Sequence, residues 1–249
     1  MTFREFRHRM LDEDPGSLAR NRILTITHLS QAIAVCIVQT PDPELPARVL
    51  QLPLDLLYTA PDKLLALISS KLKCNQTLFA RSCHYRKVDK SEAEKFLDQY
   101  HLLGKANCAY HRGLYHHDTL VALASFSKGR KMNRLPAHLR SFELIRFCCM
   151  QDITVTGGLS KLLNNFCKEK QVGDVMTYVD RQFSDGASFL RCGFRFHSQT
   201  PPTQFRVDKQ SYKRTPVTAD TKKDDGQNSY LTQNAGNLKL VYTPGHETI

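Results

Sequence analysis

No two of the eight cysteines in this chain stand in a C-x-x-C pair. Cys36, Cys74, Cys83, Cys108, Cys148, Cys149, Cys167 and Cys192 are scattered, several of them inside strand or helix patterns, so they read as reduced thiols rather than a zinc site or a disulfide framework. The adjacent His116 and His117 have no third ligand at a useful spacing, and neighbours on a strand or turn point apart, so no metal is expected. A long apolar run is also missing. Ala32 to Val38 is too short to span a bilayer, which argues against a membrane partner. Nor is a secretory or transit leader expected: Met1 to Asp14 mixes Arg4, Arg7 and Arg9 with Glu5, Asp12, Glu13 and Asp14, and a cytoplasmic location is the expectation. Acidic residues are in short supply. Against 35 Lys and Arg there are 24 Asp and Glu, a formal charge of +11 that favours nucleic acid, an anionic cofactor or a ribosomal surface as partner. A generally basic surface with no specific partner fits the same numbers equally well.

What is present is organised around Ser141 to Phe194. Phe142 to Cys149 is apolar on both alternating faces, as a central strand should be. Gly157 and Gly158 follow after a short link. Leu159, Leu162, Leu163, Phe166 and Cys167 then recur at i, i+3, i+4, i+7 and i+8, one apolar helix stripe. Val175 to Asp180 reads as the next strand. Ser184 and Asp185 offer caps for a short helix, and Gly193 stands where a helix-terminating glycine belongs. The result is a βαβα unit with glycines at a helix N-terminus, where unpartnered backbone N–H groups and the positive end of the dipole attract phosphate oxygens. Paired glycines before a helix also occur as plain tight turns.

This segment resembles the core of the GNAT N-acetyltransferase superfamily, with Ala187 to Phe194, ASFLRCGF, matching that superfamily's last motif. FLDQYHLLGKANCAYHRGLY, LVALASFSKGR, FELIRFC, VTGGLSKLL and YVDRQFSDGASFLRCGF resemble more narrowly a GNAT-like module of phage and bacterial proteins, some labelled Hef-like homing endonuclease and related in pattern to the phage Mom DNA-modification proteins. The similarity covers roughly Thr77 to Asp208. It implies an α/β fold, a GNAT-like mixed central sheet flanked by helices, with acetyl-CoA or another acyl-CoA as cofactor. Thr156, Gly157, Gly158, Leu159, Ser160 and Lys161 would then form the cofactor-binding loop and first helical turn. Two departures stand out. The superfamily's Gln/Arg-x-x-Gly-x-Gly/Ala loop is shortened to Val155-Thr156-Gly157-Gly158-Leu159-Ser160, and Phe189 replaces the tyrosine that often serves as general acid.

Three segments follow from this reading: residues 1–76 as an N-terminal accessory extension, 77–208 as the acyltransferase domain, and 209–249 as a polar linker and tail. In the first, Ile23 to Thr27 predicts a strand, Ser30 to Val38 a helix or buried strand, and Pro61 opens a helix through Leu72. Pro41, Pro43, Pro46 and Pro53 punctuate the stretch between. Thr77 to Val88 predicts the first core strand. Ser91 and Glu94 predict a capping box for a helix striped by Ala93, Phe96, Leu97 and Tyr100. Ala109 to Tyr115 and Thr119 to Phe126 predict a hairpin. After Phe194, strands near Arg195 to His197 and Phe205 to Asp208 are expected to complete the sheet, and Tyr230 to Val241 regains a turn-and-strand pattern.

The candidate chemistry is N-acylation of an amine. Asp180, at the carboxyl end of its strand, and Glu143 are the candidate bases. With Phe189 unable to donate a proton, Tyr178 or Tyr100 would protonate the leaving thiol. Arg146 lies mid-strand among apolar residues, where an unpaired charge is expensive, so it is expected to pair with Glu143 or Asp180. His101, by resemblance near the acceptor side, and the basic loop with Lys128, Arg130, Lys131 and Arg134 suggest a nucleic-acid acceptor. The competing readings are a non-catalytic nucleic-acid-binding module, and an acetyltransferase acting on a small molecule or protein.

Overall fold

Phe126, Phe142 and Phe166 show how the central part of the chain is assembled. In the computed structural model, which describes residues 1–12, 23–42, 44–46, 48–217 and 227–245, Phe166 stacks on Phe126 with ring centroids 3.8 Å apart and meets Phe142 edge-on at 5.2 Å. The elements run in the order α1 (Phe3–Asp12), β1 (Leu24–His28), β2 (Gln31–Val38), β3 (Val49–Pro53), α2 (Leu54–Thr59), α3 (Pro61–Lys71), β4 (Gln76–Phe79), a 3-10 turn (Ala80–Ser82), β5 (His84–Lys87), α4 (Lys90–Tyr100), β6 (Tyr110–His116) and β7 (Thr119–Phe126). They continue with β8 (Arg140–Cys149), β9 (Ile153–Thr156), α5 (Gly158–Glu169), β10 (Val172–Asp180), α6 (Ala187–Arg191), β11 (Arg195–Gln199), β12 (Gln204–Asp208), β13 (Arg214–Pro216), β14 (Ser229–Gln233) and β15 (Asn237–Tyr242).

The chain forms two units. One comprises Met1–Cys74, Asp180–Ser184 and Thr200–Asn237; the other comprises Asn75–Val179, Asp185–Gln199 and Leu238–Ile249. In the first, β1-β2-β3 is a three-stranded sheet with β2 and β3 parallel, and β13-β12-β14 is a second. Ser30 to Val38, open between helix and strand from its sequence, is β2. Phe6, Met10, Ile26, Leu52, Leu57, Leu64 and Ile68 are fully buried there. Arg214 of β13 grips the completely buried Asp55 of α2 with both carboxylate oxygens engaged.

The second unit is a mixed α/β structure built on a seven-stranded sheet, ordered β11-β15-β10-β8-β7-β6-β5, with β8 and β10 parallel. The α5 stripe foreseen from its spacing is buried: Leu159, Leu162, Leu163 and Phe166 pack on Phe126, Phe142, Val175 and Phe194. On the other face, Ala93, Phe96 and Leu97 of α4 pack with Tyr115, Leu120 and Leu123.

Several expectations give way. Thr77 to Val88 is not one strand: β4 pairs with β9, the 3-10 turn intervenes, and only β5 joins the main sheet. The short link before α5 therefore contains a strand. α4 begins at Lys90 after Asp89, so Ser91 and Glu94 lie inside it and form no capping box. α6 is preceded by Gly186 at φ +78°, while Asp185 accepts the Ala187 N–H at 3.0 Å. β12 is the middle strand of the small sheet in the first unit, and β15 takes the place in the main sheet that the sequence assigned to it. Residues 209–217, read as linker, hold β13, which turns back onto β12, while the turn-and-strand pattern from Tyr230 to Val241 is β14, paired with β12, and β15, paired with β11. Pro43 and residues 218–226 of the expected linker lie outside the described residues.

α5 is tied to β6 by charge. Arg112, 5% exposed, donates from Nε and Nη2 to Glu169 Oε2 at 3.0 and 2.6 Å. Burial alone would raise the Glu169 carboxyl, but hydrogen bonding and charge from Arg112 outweigh it and hold the group below its ordinary value of 4.5. A depressed folded-state value means that the stabilisation is present above the unfolded pKa and is lost as pH falls through the folded one. Glu169→Gln should therefore lose about 1.5–3 kcal/mol at pH 7. In urea titrations the gap between wild type and variant should shrink as pH drops below 4.5.

Candidate active site between two parting strands

β8 and β10 begin as a parallel pair with one irregularity, at Gly173 between Val172 and Asp174. Arg140 faces Val172, Ser141 faces Asp174, Phe142 faces Val175 and Glu143 faces Met176, and there the pairing stops. β8 continues to Cys149 on its other partner, β7, and β10 continues to Asp180. Beyond Glu143 the two strands therefore have backbone edges that do not serve each other, a break in the middle of a sheet.

Side chains hold both sides of this parting. At the closed end, the buried Asp174 accepts Ser141 Oγ at 2.6 Å and also binds Arg134. Just past the last pair, the buried Thr177 Oγ1 donates to Leu144 O at 2.9 Å, so the first carbonyl left behind by the ladder keeps a partner. A register shift between Ser125 and Phe126 places a bulge in β8 opposite them. Leu144 and Phe147 both pack on the α5 side, although three residues apart. Glu143, paired with Met176, and Arg146 therefore face the α4 side, and Tyr178, two residues beyond Met176, faces the same way.

α5 starts after β9. Gly157 has φ +76°, which suits glycine, and a Cβ on Gly158 would meet Val155 at 3.1 Å. In the first helical turn, the N–H groups of Gly158, Leu159 and Ser160 have no intrahelical acceptor, and Lys161 N–H is the first to find one, on Gly157 O. The Lys161 side chain is spent elsewhere, because Nζ donates to Ala80 O at 2.9 Å and Cys83 O at 2.6 Å and fastens the 3-10 turn to α5. Leu159 is buried in the core, so only its backbone is available. Ser160 Oγ lies 3.2 Å from Cys192 Sγ, and Thr156 ends β9 opposite Phe79.

The remaining candidates divide. Asp180 belongs to the first unit. Its Oδ1 accepts the Gln182 N–H at 2.9 Å, and burial pushes its carboxyl up against the opposing pull of that bond and of Arg214. Arg146 pairs with neither Glu143 nor Asp180. Its Nε donates to Gly104 O at 3.1 Å and its Nη1 to Ile145 O at 3.0 Å, since the bulge turns it toward the end of α4. Tyr100 packs edge-on against Phe96 at 4.7 Å, and His101 Nδ1 accepts the Leu103 N–H, so both build the helix end. Lys128, Arg130 and Lys131 are exposed, whereas Arg134 is engaged by Asp174. Gly104 and Cys108 were not singled out from the sequence, yet they adjoin Arg146. Burial raises the Cys108 thiol and the guanidinium pulls it down. No group of three His, Cys, Asp or Glu among the described residues could hold a metal, and no helix among them is long and apolar enough to cross a membrane.

Thr177→Val keeps the shape of the side chain and deletes the hydroxyl. With Leu144 O left unsatisfied in a buried place, thermal denaturation should show a loss of about 1–3 kcal/mol.

No family model matches the chain, and no curated protein matches it. Among solved structures it is similar to Arabidopsis thaliana Naa50 in complex with a bisubstrate analogue, CoA-Ac-MVNAL, at 11% identity and a TM-score of 0.41, covering 65% of this chain and 99% of that one. It is also similar to a Bacillus subtilis acetyltransferase in complex with CoA, at 11% identity and a TM-score of 0.41, covering 65% and 98%. The ribosomal-protein-S18-alanine N-acetyltransferase of Escherichia coli matches at 11% identity and a TM-score of 0.40, covering 67% and 99%.

Proposed function

We propose that the chain is an acyl-CoA-dependent N-acyltransferase of GNAT type. The observation that carries this reading is the parting of β8 from β10 beyond Glu143, with the open first turn of α5 following in the chain. An unpaired strand edge suits an extended ligand arm bearing amides, which can add to the edge as a strand would. Three unpartnered N–H groups at a helix N-terminus suit a diphosphate. A CoA thioester carries both features, so the residues present fit it. The edge of Ile145 to Cys149 would hold the arm, and the backbone of Gly158, Leu159 and Ser160 the diphosphate, with no contribution from Lys161. Bound there, acyl-CoA supplies an acyl group already activated for attack by an amine.

The chain's own residues supply the proton handling. Glu143 makes no ion pair among the described residues and lies at the last paired position before the strands separate, which makes its carboxylate the acceptor for the amine proton. Tyr178, on the opposite lip and the same face, supplies the proton donor that Phe189 cannot. Asp180 is the weaker choice of base because its carboxylate already closes the turn at Gln182. The exposed Lys128, Arg130 and Lys131 support a second reading, in which the partner is a nucleic acid and oligonucleotide affinity falls steeply with salt.

Calorimetric titration of acetyl-CoA tests the first reading. Wild type should bind saturably, and Ser160→Asp should weaken binding about tenfold or more while leaving the melting temperature unchanged or raised. A carboxylate in the first turn favours the helix and repels a diphosphate. Glu143→Gln should lower kcat by about 10²–10⁴-fold. A folded wild-type protein that takes up no acetyl-CoA would overturn the acyl-CoA reading.

A further inference from the structure

Arg146 is placed as a binding group that awaits its ligand. It is half-buried, and desolvation lowers its guanidinium pKa. Two of its five N–H donors are occupied, both by backbone carbonyls. Among the described residues, the ion pairs of this unit engage Arg86, Lys90, Lys105, Arg112 and Arg134, and none includes Arg146. Nor is it among the fully buried polar atoms that lack a partner, so its free Nη2 edge is open to solvent. Drawing a guanidinium partly out of water against two carbonyls alone is costly, and an anion completing the fork would offset that cost.

The mounting is rigid. Gly104 has φ +62°, its N–H bonds to His101 O at 2.9 Å, and the next N–H, of Lys105, is taken by Asp98 Oδ1 at 2.9 Å. A Cβ on Gly104 would meet Asp98 Oδ1 at 3.0 Å, so the glycine permits the tight approach that aims its carbonyl at Arg146. Glu143, the unpaired carboxylate, shares this face three residues back along β8, about 10 Å of extended chain. The groups whose charge acts on Arg146 are Cys108, Glu143 and Cys148.

One recessed cation and one carboxylate on the same face, not joined to each other, match a ligand that carries the opposite charges. We propose that the acceptor is a small amino-carboxylate, its carboxylate held by the free edge of Arg146 and its amine presented to Glu143. This rests on the acyltransferase reading. A planar guanidinium fork suits a carboxylate, whereas a polyanionic chain would draw on a row of exposed cations such as Lys128, Arg130 and Lys131. In the step itself the amine nitrogen forms the amide bond, the C–S bond of the thioester breaks, the amine proton passes to Glu143, and the leaving thiolate takes a proton from Tyr178 and departs as free thiol. The carboxylate takes no part beyond binding.

The experiment pairs each of the proteinogenic amino acids with its carboxamide, uses acetyl-CoA as donor, and reads released thiol, after calorimetry of acetyl-CoA on the same protein. At least one free acid should be acylated with kcat/KM about tenfold or more above its amide, and Arg146→Gln should remove that preference, with Arg146→Lys restoring part of it. A wild-type protein that binds acetyl-CoA but treats acid and amide alike would overturn the proposal, as would one that acylates an oligonucleotide and no member of the panel. Failure to bind acetyl-CoA would instead strike the acyltransferase reading. Thermal-shift measurements with the same acids and amides then test Arg146 alone: stabilisation by an acid, lost in Arg146→Gln, upholds the anion subsite, and no stabilisation by any acid overturns it.

Discussion

A parallel strand pair that stops pairing halfway is the constraint on which the second unit depends. A sheet normally satisfies every backbone group of its inner strands, and an interruption exposes donors and acceptors at its centre. The structure confines that cost. Asp174, gripping Ser141 and Arg134, fixes β8 and β10 together at one end, and Thr177 caps the first orphaned carbonyl at the other. The bulge in β8 then rotates Arg146 onto the face that already carries Glu143. The parting is built by specific side chains and is not a frayed sheet end, which is why it reads as a place for a ligand.

Packing and chemistry are divided between the two faces. One holds the aromatic stack of Phe126, Phe142 and Phe166, which sets α5 against the sheet, with Arg112 and Glu169 securing the far end of that helix. The other is thinner. α4 covers part of it, and the joint from His101 to Cys108 borders Arg146 and Glu143. Lys161 shows how a local motif can mislead: a lysine beside paired glycines looks like a phosphate ligand, yet it serves two carbonyls of the preceding turn.

Long, strongly periodic elements were legible in the sequence. The α5 stripe, the α4 stripe, the β6–β7 hairpin and the two central strands lie where apolar spacing puts them, since each follows from local periodicity alone. Short strands were legible only in part. β12 and β14 lie where the chain shows or regains a strand pattern, whereas β4 and β9 owe their existence to each other, far apart along the chain, which no window of sequence contains. For the candidate site, the residue types on β8 and β10 could be read from the chain. The bulge that turns Arg146 away from Phe147 could not, and so its pairing with a carboxylate was expected where carbonyls stand instead.

β15 lies between β10 and β11 in the main sheet, although it is made 37 residues after β11 ends, once β12, β13 and β14 have been laid down for the other unit. During synthesis, β10 therefore emerges with one edge bare and keeps it bare until Tyr242 has left the ribosome. Such an edge invites wrong partners, and the late, distant closure makes this a slow-folding topology. The ribosome thus releases a chain one of whose inner strands has waited long for its neighbour, and chaperone demand should concentrate in that interval.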